Sequence, residues 1–257
     1  MSGDAGSALA RRLREAAEAE LVALVDAHLE RLDPPTARHL FRNPFLTGAL
    51  IERLAAVPEL AAAYEIRREV ARHPRAPRVL ALRFVSGLHW ADLLAVASEI
   101  RVHPVVRRAA DQRLIDRLPG LSVGEKMAVA RGGGVAVIAA IRVDPTPRVI
   151  GALLENPRLT EGHLVPLAAS PAASPRVLAL LAASPRWAVR SAIRSALCRN
   201  PATPLAASLP LLPLLSRRDL AAVASDERLL LPVRQRARLL GGEPREGRQG
   251  GARPLRG

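Results

Sequence analysis

Few residues in this chain could do chemistry, and each has a competing structural use. His89-Trp90-Ala91-Asp92 sets an acid beside an aromatic ring, the residue types of a small active site. Yet Asp92 recurs 127 residues on as Asp219, where His89 has become Ser216 and Trp90 has become Arg217. Ser216-x-x-Asp219 fits a helix cap, with an acid in the first turn against the helix dipole. Asp92 is therefore expected to be structural. Arg131-Gly132-Gly133-Gly134 precedes an apolar stretch, and glycines at a helix N-terminus can cradle phosphate. The Walker spacing is missing and no strand leads in, so a break between two helices is expected. The six histidines (28, 39, 73, 89, 103 and 163) show no HExxH and no close pair at metal spacing. Cys198, beside Leu197 on an apolar helix side, reads as a small core residue. Trp187 reads as packing between repeats, at the start of the same helix.

The arginines are a different matter. The chain carries a net charge of +14, with 38 Lys and Arg against 24 Asp and Glu, and Lys126 is its only lysine. No acid occurs between Glu161 and Asp219, while seven arginines do. Arg107, Arg108, Arg186, Arg190, Arg194 and Arg234 form the candidate binding surface. Arg186, Arg190 and Arg194 step by four and would share one edge of a helix. No catalytic, metal or cofactor residue is assigned.

The elements that must carry these side chains come from the repeat. Residues 72–103 align without gaps on 199–230, with 12 of 32 positions identical. Three units of about 42 residues make up that offset of 127, in the range of helical HEAT and armadillo repeats. Short apolar-periodic stretches are separated by X-Pro pairs: His73-Pro74, His103-Pro104, Asp144-Pro145, Asn156-Pro157, Ser184-Pro185 and Asn200-Pro201. Each pair reads as a helix start. The expected helices are 77–87, 90–101, 104–118, 122–131, 134–142, 146–155, 160–169, 175–183, 186–199, 204–215, 217–226 and 231–240. Pro210 and Pro213 should break the tenth. No window alternates as a strand does. The expectation is an all-α chain, an α-solenoid of about four units with up to three short helices each.

Charge divides the sequence into three. Residues 1–71 hold 9 basic and 11 acidic residues and open with a long helix that Asp33-Pro34-Pro35 should end. Residues 72–240 hold 25 and 11, and form the basic repeat segment. Residues 241–257 carry six of the 17 glycines and are expected to be disordered. One cysteine excludes a disulfide framework. The N-terminus lacks the pattern of a secretory signal, and the longest uncharged run is broken by four prolines, so no membrane contact and a cytoplasmic location are expected.

The stretch from Ala152 to Leu212, with Asn156-Pro157, Trp187, Asn200-Pro201, Thr203-Pro204 and the following Asp219-Leu220, resembles bacterial HEAT-like repeat proteins, related in style to leucine-rich repeat variants. The resemblance covers roughly residues 40–240 and implies an α-solenoid that usually binds protein. It transfers no catalytic residue. The iron–sulfur cluster of one leucine-rich variant would need several cysteines. HEAT-like DNA glycosylases place an Asp and Trp residues around a damaged nucleotide, which would be the enzymatic reading of Trp90 and Asp92. The expected function is a non-enzymatic scaffold or adaptor with a protein partner, possibly acidic. The alternative is nucleic-acid binding through the arginine layer, although so few aromatic residues argue against base stacking.

Overall fold

The computed structural model describes residues 2–242, and among them every regular element is a helix. Contacts divide the chain into two compact units, one ending at Ile141 and the other beginning at Arg142. The acidic-to-basic step at residue 71 has no counterpart in packing, because the helix that ends there packs on the next two.

The first unit contains α1 (Ser2–Glu15), α2 (Glu18–His28), α3 (Pro34–Ala37), α4 (Gly48–Ala56), α5 (Pro58–Ala62) and α6 (Tyr64–Arg72). It continues with α7 (Arg78–Val85), α8 (Trp90–Ser98), α9 (Pro104–Arg117), α10 (Val123–Gly132) and α11 (Val135–Ile141). The single long opening helix is in fact two, broken at Ala16-Ala17. Asp33-Pro34-Pro35 does more than stop it. Asp33 accepts the Thr36 N–H at 2.8 Å and so begins α3, with proline in the first turn.

The second unit contains α12 (Pro147–Leu154), α13 (Glu161–Ala169), α14 (Pro175–Ala182), α15 (Ser191–Cys198), α16 (Leu205–Ser208), α17 (Arg217–Ser225) and α18 (Leu231–Gly241). The expected break at Pro210 and Pro213 is there: α16 stops at Ser208, and Leu209–Leu214 is a tighter 3-10 turn. The tail expected to be disordered lies, from residue 243 on, outside the described residues.

The X-Pro pairs are mostly not helix starts. Only His103-Pro104 opens a helix. At His73, Asp144, Asn156 and Asn200 a helix has just ended, and the side chain accepts the N–H two residues on, at 3.2, 2.9, 2.8 and 2.9 Å. Proline enforces that turn because it cannot continue the helix, while the short polar side chain satisfies the freed backbone. Asn43 makes the same turn and adds a tie. Its buried amide donates to Leu13 O and Ala16 O, both at 2.9 Å. Asn200 does likewise to Ala168 O at 2.7 Å and Ser170 O at 2.8 Å. Carbonyls left over at one helix end are thus met by the next turn, about 30 residues later. These buried polar contacts add direction to a core of leucine, isoleucine and valine.

The 127-residue offset extends well beyond the aligned stretch. α4 and α14 begin 127 residues apart, as do α6 and α15, α7 and α16, α8 and α17, and α9 and α18. Thr47 and Ser174, also 127 apart, cap α4 and α14 through their hydroxyls at 3.3 Å. Buried residues coincide even where identity is lost: Phe84 with Leu211, Val70 with Leu197, Val102 with Leu229, and Ala71 with Cys198. Residues 33–115 and 160–242, a first and a second copy one in each unit, thus share these helix starts and buried positions, although α5 has no helical counterpart because 185–189 is a turn. Each buried Leu, Ile or Val side chain contributes about 1.5–3 kcal/mol, so the shared pattern is also a shared set of stabilising contacts.

Candidate binding surface

The residues that invited a catalytic reading are engaged in holding helices. Tyr64 on α6 donates its hydroxyl hydrogen to Asp92 Oδ2 and accepts the His89 N–H at 3.0 Å. In the second copy, Ser216 accepts the Asp219 N–H at 3.1 Å and contacts Asp219 Oδ2 at 2.6 Å, while Ser195 donates to Asp219 Oδ1 at 2.8 Å. These two hydroxyls hold the Asp219 carboxyl below its usual range. Where the second copy holds its acid with two serines, the first uses a tyrosine from α6, two helices earlier. Trp90 spends its indole N–H on Glu125 Oε1 at 2.8 Å. Glu125 also belongs to the capping box of α10 with Ser122.

The triple glycine separates α10 from α11 as expected. A Cβ at Gly133 would lie 2.6 Å from Val137 Cγ1 and 2.9 Å from Val129 O, so close backbone approach demands glycine there. Cys198 is buried, and burial pushes its thiol up to about 12, which leaves no nucleophile at neutral pH. Among the described residues no three His, Cys, Asp or Glu side chains gather as a metal site, and no helix is long and apolar enough to cross a membrane.

Trp187 lies in the turn before α15, not at the start of that helix, and its buried indole donates to Leu154 O at 3.1 Å. The expected helix 186–199 begins only at Ser191, so Arg186 and Arg190 are turn residues and share no helical edge with Arg194. Arg186 stacks on the Trp187 ring, 4.6 Å from its centroid, and reaches Asn156 O at 3.5 Å. Arg194 donates to Val189 O at 3.1 Å, which closes the same turn. Arg108 and Arg190 are exposed. Arg107 and Arg234 are counterparts 127 residues apart, each half-buried with an Nε that finds no acceptor. Among the described residues none of these six arginines makes an ion pair.

The acids of residues 1–71 pair within their own segment: Glu20 with Arg12, Asp26 with Arg53, and Glu69 with Arg38 and Arg68. None of these pairs involves Arg107 or Arg108 of the same unit. The carboxylate-free span from Gly162 to Arg218 therefore presents Arg190 and Arg199 as exposed guanidinium groups. Arg199 lies on a cleft of about 610 Å³ whose walls also include Val165, Ala169, Pro171, Ala196 and Arg228. Of these, only Arg199 stands out in the sequence. The small apolar wall residues carry no local signal, and become visible only when the 127-residue offset is extended towards the N-terminus. Compared with protein-family profiles, curated sequences and solved structures, this chain finds no match in any of the three.

Proposed function

We propose that this chain is a non-enzymatic binding module built of tandem helical repeats, an α-solenoid of HEAT-like units, and that its second copy takes an acidic protein partner. One observation carries the reading. Residues 162–218 contain exposed arginines and no carboxylate, and their guanidinium groups form no ion pair among the described residues. Unpaired guanidinium groups on a rigid helical frame suit carboxylate recognition, because the planar fork matches two oxygens at once. The repeat frame also suits binding, since stacked units offer extended surfaces. In the same structure Trp90, Asp92, Gly133 and Cys198 each have a structural role, which removes the motive for an enzymatic reading. The cytoplasm goes with this function, as a free buried thiol is ordinary there.

The test immobilises the full chain and titrates it with a glutamate–alanine copolymer and with duplex DNA, at low and high salt. Saturable copolymer binding with weak duplex binding is the expected result. Duplex binding that is tighter, and that collapses with salt as phosphate neutralisation requires, would replace this function with nucleic-acid binding.

A further inference from the structure

Two clefts occupy equivalent places in the two copies. The first, about 460 Å³, is bounded by Arg42, Pro44, Glu69, Arg72 and Arg101. The second, about 610 Å³, is bounded by Ala169, Pro171, Ala196, Arg199 and Arg228, each 127 residues on from its counterpart. The two prolines and two of the arginines are kept, but the chemistry of the wall is not.

In the first cleft Glu69 Oε1 lies 3.7 Å from Arg38 Nε and 3.2 Å from Arg68 Nη2. The counterparts of that trio are Ala196, Val165 and Ser195. The ionic cluster has become a small apolar wall, and Ser195 is already bonded to Asp219. One ion pair survives in both. Arg101 bonds Glu99 at 3.0 and 3.2 Å, and Arg228 bonds Asp226 at 2.9 and 2.7 Å. Arg199 is exposed, and among the described residues its guanidinium has no hydrogen bond or ion pair. The nearest acids, Asp219 and Asp226, feel its charge but are committed to Ser216, Ser195 and Arg228. The second cleft is thus larger in volume, apolar along one wall, and carries a guanidinium that has no ion pair among the described residues.

We propose that this cleft seats a short segment of the partner protein in which an aliphatic side chain stands beside a carboxylate. The proposal rests on the protein-binding function above and narrows it to one groove. The alanine–proline wall takes the aliphatic group, whose burial supplies affinity. Arg199 takes the carboxylate in a charge-assisted pair, which supplies selectivity. The volume is that of a ligand-sized site. The first cleft is smaller and carries the Glu69 carboxylate on its wall, which repels the acid of such a segment.

The test titrates the full chain with three labelled peptides of equal length, with repeating leucine–glutamate, serine–glutamate and leucine–glutamine pairs. The leucine–glutamate peptide binds tightest, by about tenfold over either of the others. Val165→Arg with Ala196→Glu rebuilds the first copy's ion pair in the second cleft and lowers its affinity by about tenfold. Arg199→Ala, at an exposed position that leaves folding intact, weakens the leucine–glutamate peptide and leaves the leucine–glutamine peptide unchanged. If the copolymer binds but neither substitution alters peptide affinity, the cleft is not the site and only this proposal falls. If wild-type chain binds neither copolymer nor peptide, the protein-binding function falls with it. A single-stranded oligonucleotide that binds more tightly than any peptide, and loses affinity in Arg199→Ala, would assign the cleft to phosphates and overturn the proposal.

Discussion

The copy at 33–115 and the copy at 160–242 share helix starts, the Thr47 and Ser174 caps and buried positions, but differ in how they treat charge. The first lines its cleft with Glu69, which pairs with Arg38 and Arg68. The second replaces all three, so its cleft keeps Arg199 where the first has Arg72 but has no equivalent of the Glu69 carboxylate. Packing is what both copies must preserve, because an unburied helix face costs several kcal/mol. Exposed ion pairs contribute little to stability and are free to change. The difference between the copies therefore falls where stability does not constrain it, which is where a binding function can reside.

That comparison can be broken at the core first. Leu93 and Leu220 are counterparts, both buried. Leu93→Ala and Leu220→Ala are each expected to cost about 2–5 kcal/mol in denaturant unfolding. Equal costs would support a common packing scheme; a cost in one copy alone would mean that the register is shared without the energetics.

The polar ties give a smaller effect. Asn200→Ala removes the amide that serves Ala168 O and Ser170 O, with an expected loss of about 1–3 kcal/mol. The residue at the matching place in the first copy is His73, which makes the turn without such ties, while the nearby Arg75 bonds different carbonyls, Pro44 O and Leu46 O at 2.5 and 3.2 Å. Asn200→His is therefore expected to keep the turn and still lose the ties. Full stability in that variant, by thermal unfolding, would show the amide ties to be incidental.

The smallest effect is the acid limb. Glu99 and Asp226 are held down to about 2 by hydrogen bonds from Arg101 and Arg228. Their folded-state values lie below the unfolded ones, so their contribution is present above the unfolded values and fades as pH falls from about 4.5 towards about 2. Glu99→Gln and Asp226→Asn should each flatten the loss of stability across that window by a similar amount. A steeper response in one variant would mean that the two pairs are not equivalent.

Much of the helical layout was legible in the sequence. Apolar periodicity placed ten of the twelve expected helices within three residues of their observed ends, because a helix face must be buried wherever it packs. Proline was misread in a consistent way. An X-Pro pair marks where a helix cannot continue, and local chemistry does not say whether the next helix starts there or several residues on. The expected helix 186–199 failed because Trp187 is drawn to Leu154 O, a contact 33 residues away.

Composition and repetition by themselves determined that this chain is helical, internally duplicated and basic in its second part. Those properties depend on spacing and charge, which are written locally. Only the tertiary structure decided that Arg186 and Arg190 leave the helix, that Tyr64 reaches Asp92 and the His89 N–H, and that four exchanged positions make one cleft wall apolar. Each of these depends on groups distant in sequence meeting in space, where burial and hydrogen-bond geometry are set by the neighbour and not by the residue.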